Sequence, residues 1–154
     1  MTLEYNYSDT KILNTDKEKK FLFSLDNTIQ NKKVITINNA KSSNHIAYTD
    51  LKNIYLNFNK VKLDSNFEYK KFLTLIKALN YHEYAHIKYT KYKNSKVPYN
   101  IKSELNILED QRIEGLLTQK YYVIKDYFKL LSNEYITKKL DYNTYILLYG
   151  RRLI

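Results

Sequence analysis

The run His82-Glu83-Tyr84-Ala85-His86 (H-E-x-x-H) constrains this chain more than any other stretch of it. Two histidines four residues apart share a face on a helix, where both imidazoles can aim at one metal ion. Glu83 follows the first His and so stands beside such an ion rather than on it. That is the place for a general base that takes a proton from water activated there. The chain has three His, and two of them lie in this run. The pattern is a metal-site signal first and a zinc-hydrolase signal by extension.

The flanking residues supply the helix. Apolar positions at Phe72, Leu75, Ile76 and Leu79 run into His82, Glu83 and His86, so the metal-binding face continues the buried face. Ser65-Asn66-Phe67-Glu68 fits a capping box opening this helix, which is expected to last to about Tyr92. The stretch 93–98, with Pro98, then breaks it. A second helix is expected from about Ile101 to Tyr121, showing Leu105, Leu108, Gln111 or Arg112, and Leu116 on one face. Shorter helices are expected over 123–131 and 143–148. Upstream, Asp16 to Gln30 carries a helical stripe at Phe21, Leu22, Leu25 and Ile29. Strands are expected over 33–38, 46–49 and 53–58, with an Asn/Ser-rich loop at 38–44. The order predicts an α+β fold: a small N-terminal sheet, then a helical half that carries the H-E-x-x-H helix. At 154 residues, with two Gly and one Pro, one domain with long helices is expected over 1–154. The ending Gly150-Arg151-Arg152-Leu153-Ile154 has no natural tail, which leaves room for a further domain or a larger assembly.

Two His need a third ligand, because a catalytic zinc site normally has three protein ligands plus water. The chain has no Cys, and Tyr92 stands where a third His would lie six residues after His86. A carboxylate is therefore expected. Asn106, Asp110 and Glu114 fall at i, i+4 and i+8 on one polar stripe of the second helix. Asp110 is the expected ligand, with Asn106 and Glu114 supporting the site by hydrogen bonds that fix an imidazole in place. Glu109, about 100° away around the helix, is the alternative ligand, and Glu104 a weaker one. Arg112 is expected to pair with Glu109 or Glu114, and His45 to be a solvated loop residue.

H-E-x-x-H followed by Asn106-x-x-Glu109-Asp110-x-Arg112-Ile113-Glu114 resembles a group of zincin-type metallopeptidases, gluzincin- or aspzincin-like, of bacteria and phages. Some of these lie beside a von Willebrand A-like domain, and the group includes cobaltochelatase T-subunit-like proteins. The likeness covers roughly residues 66–120. It implies a zincin-like fold, a bound Zn²⁺ and a peptide or protein substrate, and it favours Asp110 over Glu109. It also implies that the 53–58 strand precedes the active helix and offers an edge for peptide binding by strand addition. A phage or virus origin suits the resemblance and the Lys-, Asn-, Ile- and Tyr-rich composition.

A net charge of +10 together with 17 Tyr suits phosphate contacts and base stacking, so a basic nucleic-acid-binding module is one rival. It is not favoured, because the Lys are scattered rather than clustered. A non-catalytic assembly protein with a zincin-like fold is the other rival. Glu83 argues against it, since a structural site needs no base. No apolar run approaches the roughly 20 residues of a membrane span. Residues 1–9 lack a signal-peptide core, so a cytoplasmic, unexported protein is expected.

Overall fold

A computed structural model of the chain describes residues 20–21, 23–24, 34–38, 45–66, 68–91 and 98–136. The fold is α+β, with a three-stranded sheet ahead of a helical half. The chain divides into two compact units, Met1–Asn80 and Tyr81–Ile154.

In the first unit, strands β1 (Thr36–Asn38), β2 (Ala47–Thr49) and β3 (Ile54–Leu56) form a sheet in the order β1-β3-β2. β3 runs parallel to β1 and antiparallel to β2. Ile54 and Leu56 of β3 are fully buried, as the alternation in 53–58 leads one to expect. On the other face Tyr55 stacks on its cross-strand partner Tyr48, with ring centroids 4.7 Å apart. The turn between β2 and β3 is held by Asp50, whose Oδ1 accepts from the backbone N–H groups of Lys52 and Asn53 at 2.8 and 2.6 Å. Because β3 is the central strand, both its edges are paired. The expected strand addition at 53–58 has no free edge to use.

Two further expectations are corrected here. The strand ends at Leu56, and a short helix, α1 (Phe58–Asp64), follows with Asn57 as its N-cap: Asn57 Oδ1 accepts from the Lys60 N–H at 3.0 Å. Burying Phe58 and Val61 needs the i, i+3 spacing of a helix, which the alternation upstream conceals. Ser65 does not cap the long helix. Its hydroxyl donates back to the Lys62 carbonyl at 2.8 Å, and Asn66 turns the chain with φ of 52°. The long helix, α2 (Tyr69–Tyr89), opens at Glu68, whose carbonyl accepts from the Phe72 N–H at 2.8 Å. Phe72 packs edge-on against Phe58, with centroids 5.7 Å apart. Thr36 Oγ1 donates to Asn80 Oδ1 at 2.8 Å, a buried bond from β1 to α2.

In the second unit, α2 continues from Tyr81 to Tyr89, one turn short of the expected Tyr92, which lies outside the described residues. α3 (Lys102–Lys120) follows a 3₁₀ turn over Tyr99–Ile101, close to the expected 101–121. Its buried face is Glu109, Ile113, Glu114, Leu117 and Thr118. Leu108 is 53% exposed, so the inner face is rotated by about one residue from an apolar count. The inner face carries carboxylates as well as aliphatic groups, and counting only the apolar ones misplaces it. α4 (Lys125–Leu131) buries Phe128 and Leu131, as expected over 123–131, and a π turn over Ser132–Ile136 extends it. Of the expected 16–30 helix, Lys20, Phe21, Phe23 and Ser24 are helical; the rest lies outside the described residues, as do 143–148.

Candidate metal centre

Within the motif Glu83, Tyr84 and Ala85 of α2 are buried, as is Tyr81 just before it. His82 and His86 emerge from it half-buried, with side chains 14% and 21% exposed. Their rings stand nearly perpendicular, with centroids 4.9 Å apart. Ala85, fully buried between them, leaves room for α3 to come close.

Asp110 of α3 meets both histidines through one oxygen. Its Oδ1 lies 3.2 Å from His86 Nε2 and 3.8 Å from His82 Nε2. His82, His86 and Asp110 are the group that could hold a metal ion among the described residues. Ligand atoms bound tetrahedrally at zinc distances lie about 3.3 Å from one another, and the observed separations bracket that value. The donor set of two imidazoles and one carboxylate also suits Zn²⁺. Asp110 is partly exposed, which leaves a side open to water or substrate.

The other expected partners fall into distinct places. Glu114, fully buried, takes the other face of His82: its Oε1 lies 2.8 Å from Nδ1. An ionised carboxylate only accepts, so this contact needs a proton on Nδ1, and in the neutral ring it leaves the Nε2 lone pair toward Asp110. Burial works to lower the pKa of His82. The Glu114 hydrogen bond and the charges of Asp110, Glu114 and Glu83 override it and lift the imidazole to about 9. The pocket therefore favours positive charge, which a divalent ion or a proton can supply. Glu83 is buried on the same helix, next to His82, and its charge is among those acting on that ring. Asn106 is exposed, one turn before Asp110 on the stripe. His45 is exposed in the first unit, its ring edge-on to Tyr48.

Glu109 lies elsewhere, although it is adjacent to Asp110. Both its oxygens are engaged by Arg112, with Nε at 2.7 Å from Oε2 and a terminal nitrogen at 2.7 Å from Oε1. The Arg112 guanidinium holds the Glu109 carboxyl below the usual carboxylate range; burial opposes this, and the Thr90 hydroxyl assists. Thr90 Oγ1 donates to Glu109 Oε1 at 2.7 Å and lies 3.1 Å from His86 Nδ1. Sequence reasoning missed Thr90. The available signal was its position four residues after His86, on the same face.

Comparison of the chain with protein-family models, curated proteins and solved structures found no match.

Proposed function

We propose that this chain is a zinc-dependent metallopeptidase of zincin type. The observation that carries the reading is the meeting of His82, His86 and Asp110, with one ligand atom of each within 4.8 Å of the others, beside a buried Glu83. His82, His86 and Asp110 would hold the ion, with Glu114 fixing the His82 ring behind it. A bound zinc supplies Lewis acidity and lowers the pKa of water at the site to about 7. Glu83 accepts the proton of the attacking water and returns it to the amine that leaves as the peptide bond breaks. Its burial keeps that proton from bulk solvent. A structural site would need no such base, which sets the assembly-protein alternative behind this one. The substrate class, a peptide or protein, belongs to the same proposal, as does a cytoplasmic setting. No helix among the described residues is long and apolar enough to cross a membrane.

The test is Glu83→Gln, which keeps the shape of the side chain and removes its basicity. Cleavage of a mixed peptide library by the zinc-loaded protein, read by mass spectrometry, is expected to fall by about 10²–10⁴-fold while zinc binding persists. Cleavage unchanged in the variant, or absent from the wild type, would contradict the reading.

A further inference from the structure

The described contacts of His86 on its far side form a chain in which every hydrogen bond has a forced direction. Arg112 has only donors. Two of them go to the oxygens of Glu109, both at 2.7 Å, and a terminal nitrogen also donates to the Tyr89 carbonyl at 2.8 Å. That carbonyl belongs to the last residue of α2, one of those a helix end leaves without an internal partner. Glu109, ionised beside the guanidinium, can only accept. The Thr90 hydroxyl has one proton, and it points to Glu109 Oε1 at 2.7 Å. Toward His86 Nδ1, 3.1 Å away, Thr90 has only lone pairs to offer. The proton between them must come from the imidazole.

We infer that Thr90, Glu109 and Arg112 are positioning residues, a one-way hydrogen-bond relay that places the proton of His86 on Nδ1 and its lone pair on Nε2. The inference rests on the reading of His82, His86 and Asp110 as a metal site and adds to it the device that prepares His86. The two histidines are prepared differently. His82 has a carboxylate in direct contact, whereas His86 has a hydroxyl aligned by a carboxylate that an arginine neutralises. The same Arg112 also closes the end of α2, so the helix terminus and the ring orientation are set by one residue. Without the relay, neutral His86 would gain by the opposite tautomer: an Nε2–H donating to Asp110 Oδ1, 3.2 Å away. That tautomer blocks the ligand position.

The experiment compares wild type, Thr90→Val, Thr90→Ser and Glu109→Gln. Imidazole ¹⁵N shifts of the metal-free proteins show which nitrogen of His86 carries its proton; competition with a chromophoric chelator gives zinc affinity. Wild type and T90S are expected to carry the His86 proton on Nδ1. T90V and E109Q are expected to move it toward Nε2 and to lose about 10–100-fold in zinc affinity. The His82 signals, held by Glu114, are expected to stay unchanged in all four and so report the fold. An Nε2–H tautomer in the wild type overturns the relay, as does a T90V protein with unaltered tautomer and affinity, or a T90S protein as impaired as T90V. A wild type that binds no zinc yet keeps Nδ1–H defeats the metallopeptidase reading and leaves the relay standing.

Discussion

Asp110 and Glu109 are neighbours of like charge with separate tasks, and the difference lies in what else each carboxylate touches. Asp110 turns one oxygen to two imidazoles, while Glu109 has both oxygens occupied by Arg112 and one of them also by Thr90. The H-E-x-x-H spacing and the i, i+4 relation of Asp110 to Glu114 were legible from residue numbers, because helical geometry fixes which side chains share a face. The choice between Asp110 and Glu109 was not, since a rotation of 100° separates them and only packing sets that angle. The pairing of Glu109 with Arg112 has a consequence for acid stability. A carboxyl whose folded pKa is depressed adds stability above its unfolded value, and that contribution is lost as pH falls through the folded value. Arg112 is 46% exposed, so solvent screens the pair and its worth is about 1 kcal/mol. In the metal-free protein, Arg112→Met is expected to lower stability by at least that amount at pH 7, since it also takes a donor from buried Glu109 and from the Tyr89 carbonyl, and by less below about pH 4. Urea denaturation at both values checks this. An equal loss at both would assign the effect to the aliphatic packing of Arg112 rather than its charge.

The long helix was the most legible element, because its apolar stripe, its motif and its length agree. Its start is less legible, since Ser65 and Glu68 have the spacing of a capping box while the Ser65 hydroxyl already closes α1 behind it. α1 was hidden for a related reason: Phe58 completes a strand-like alternation and also begins a helical one. β1 is tied to α2 by Thr36 and Asn80, two polar residues that a search for apolar cores passes over. Their bond is buried, so Thr36→Val, which keeps the shape and removes the hydroxyl, deprives Asn80 Oδ1 of that donor. The expected cost is about 1–3 kcal/mol in chemical denaturation. No change in stability would mean that water or another group replaces the hydroxyl.

For the molecule as a whole, the order of elements led to an α+β fold and the scarcity of Gly and Pro to long helices, and the described residues have that form. Composition led less well to function, because a charge of +10 suits nucleic acid as readily as it suits a general enrichment in Lys, Asn, Ile and Tyr. The metal reading carries a thermodynamic consequence that the nucleic-acid reading lacks. His82 and His86 lie on α2 and Asp110 on α3, so the unfolded chain does not bring them together, and zinc binding must stabilise the fold. At a free zinc concentration a hundredfold above Kd the gain is about 2.7 kcal/mol, or roughly 5–10 °C in Tm for a chain of this size. Calorimetry with and without zinc is expected to register it, and a Tm indifferent to zinc would speak against the site.

The ligand set itself is open to a single titration. Purified protein, freed of metal, is titrated with zinc against a chromophoric chelator, for the wild type and for His86→Ala, Asp110→Ala and Glu109→Ala. The expected result is about one zinc per chain for the wild type, with most of the affinity gone in H86A and D110A. E109A, which leaves all three ligands in place, is expected to lose less than either. A wild type that takes up no zinc, or H86A and D110A variants that bind it as tightly as the wild type, would contradict a metal held by His82, His86 and Asp110.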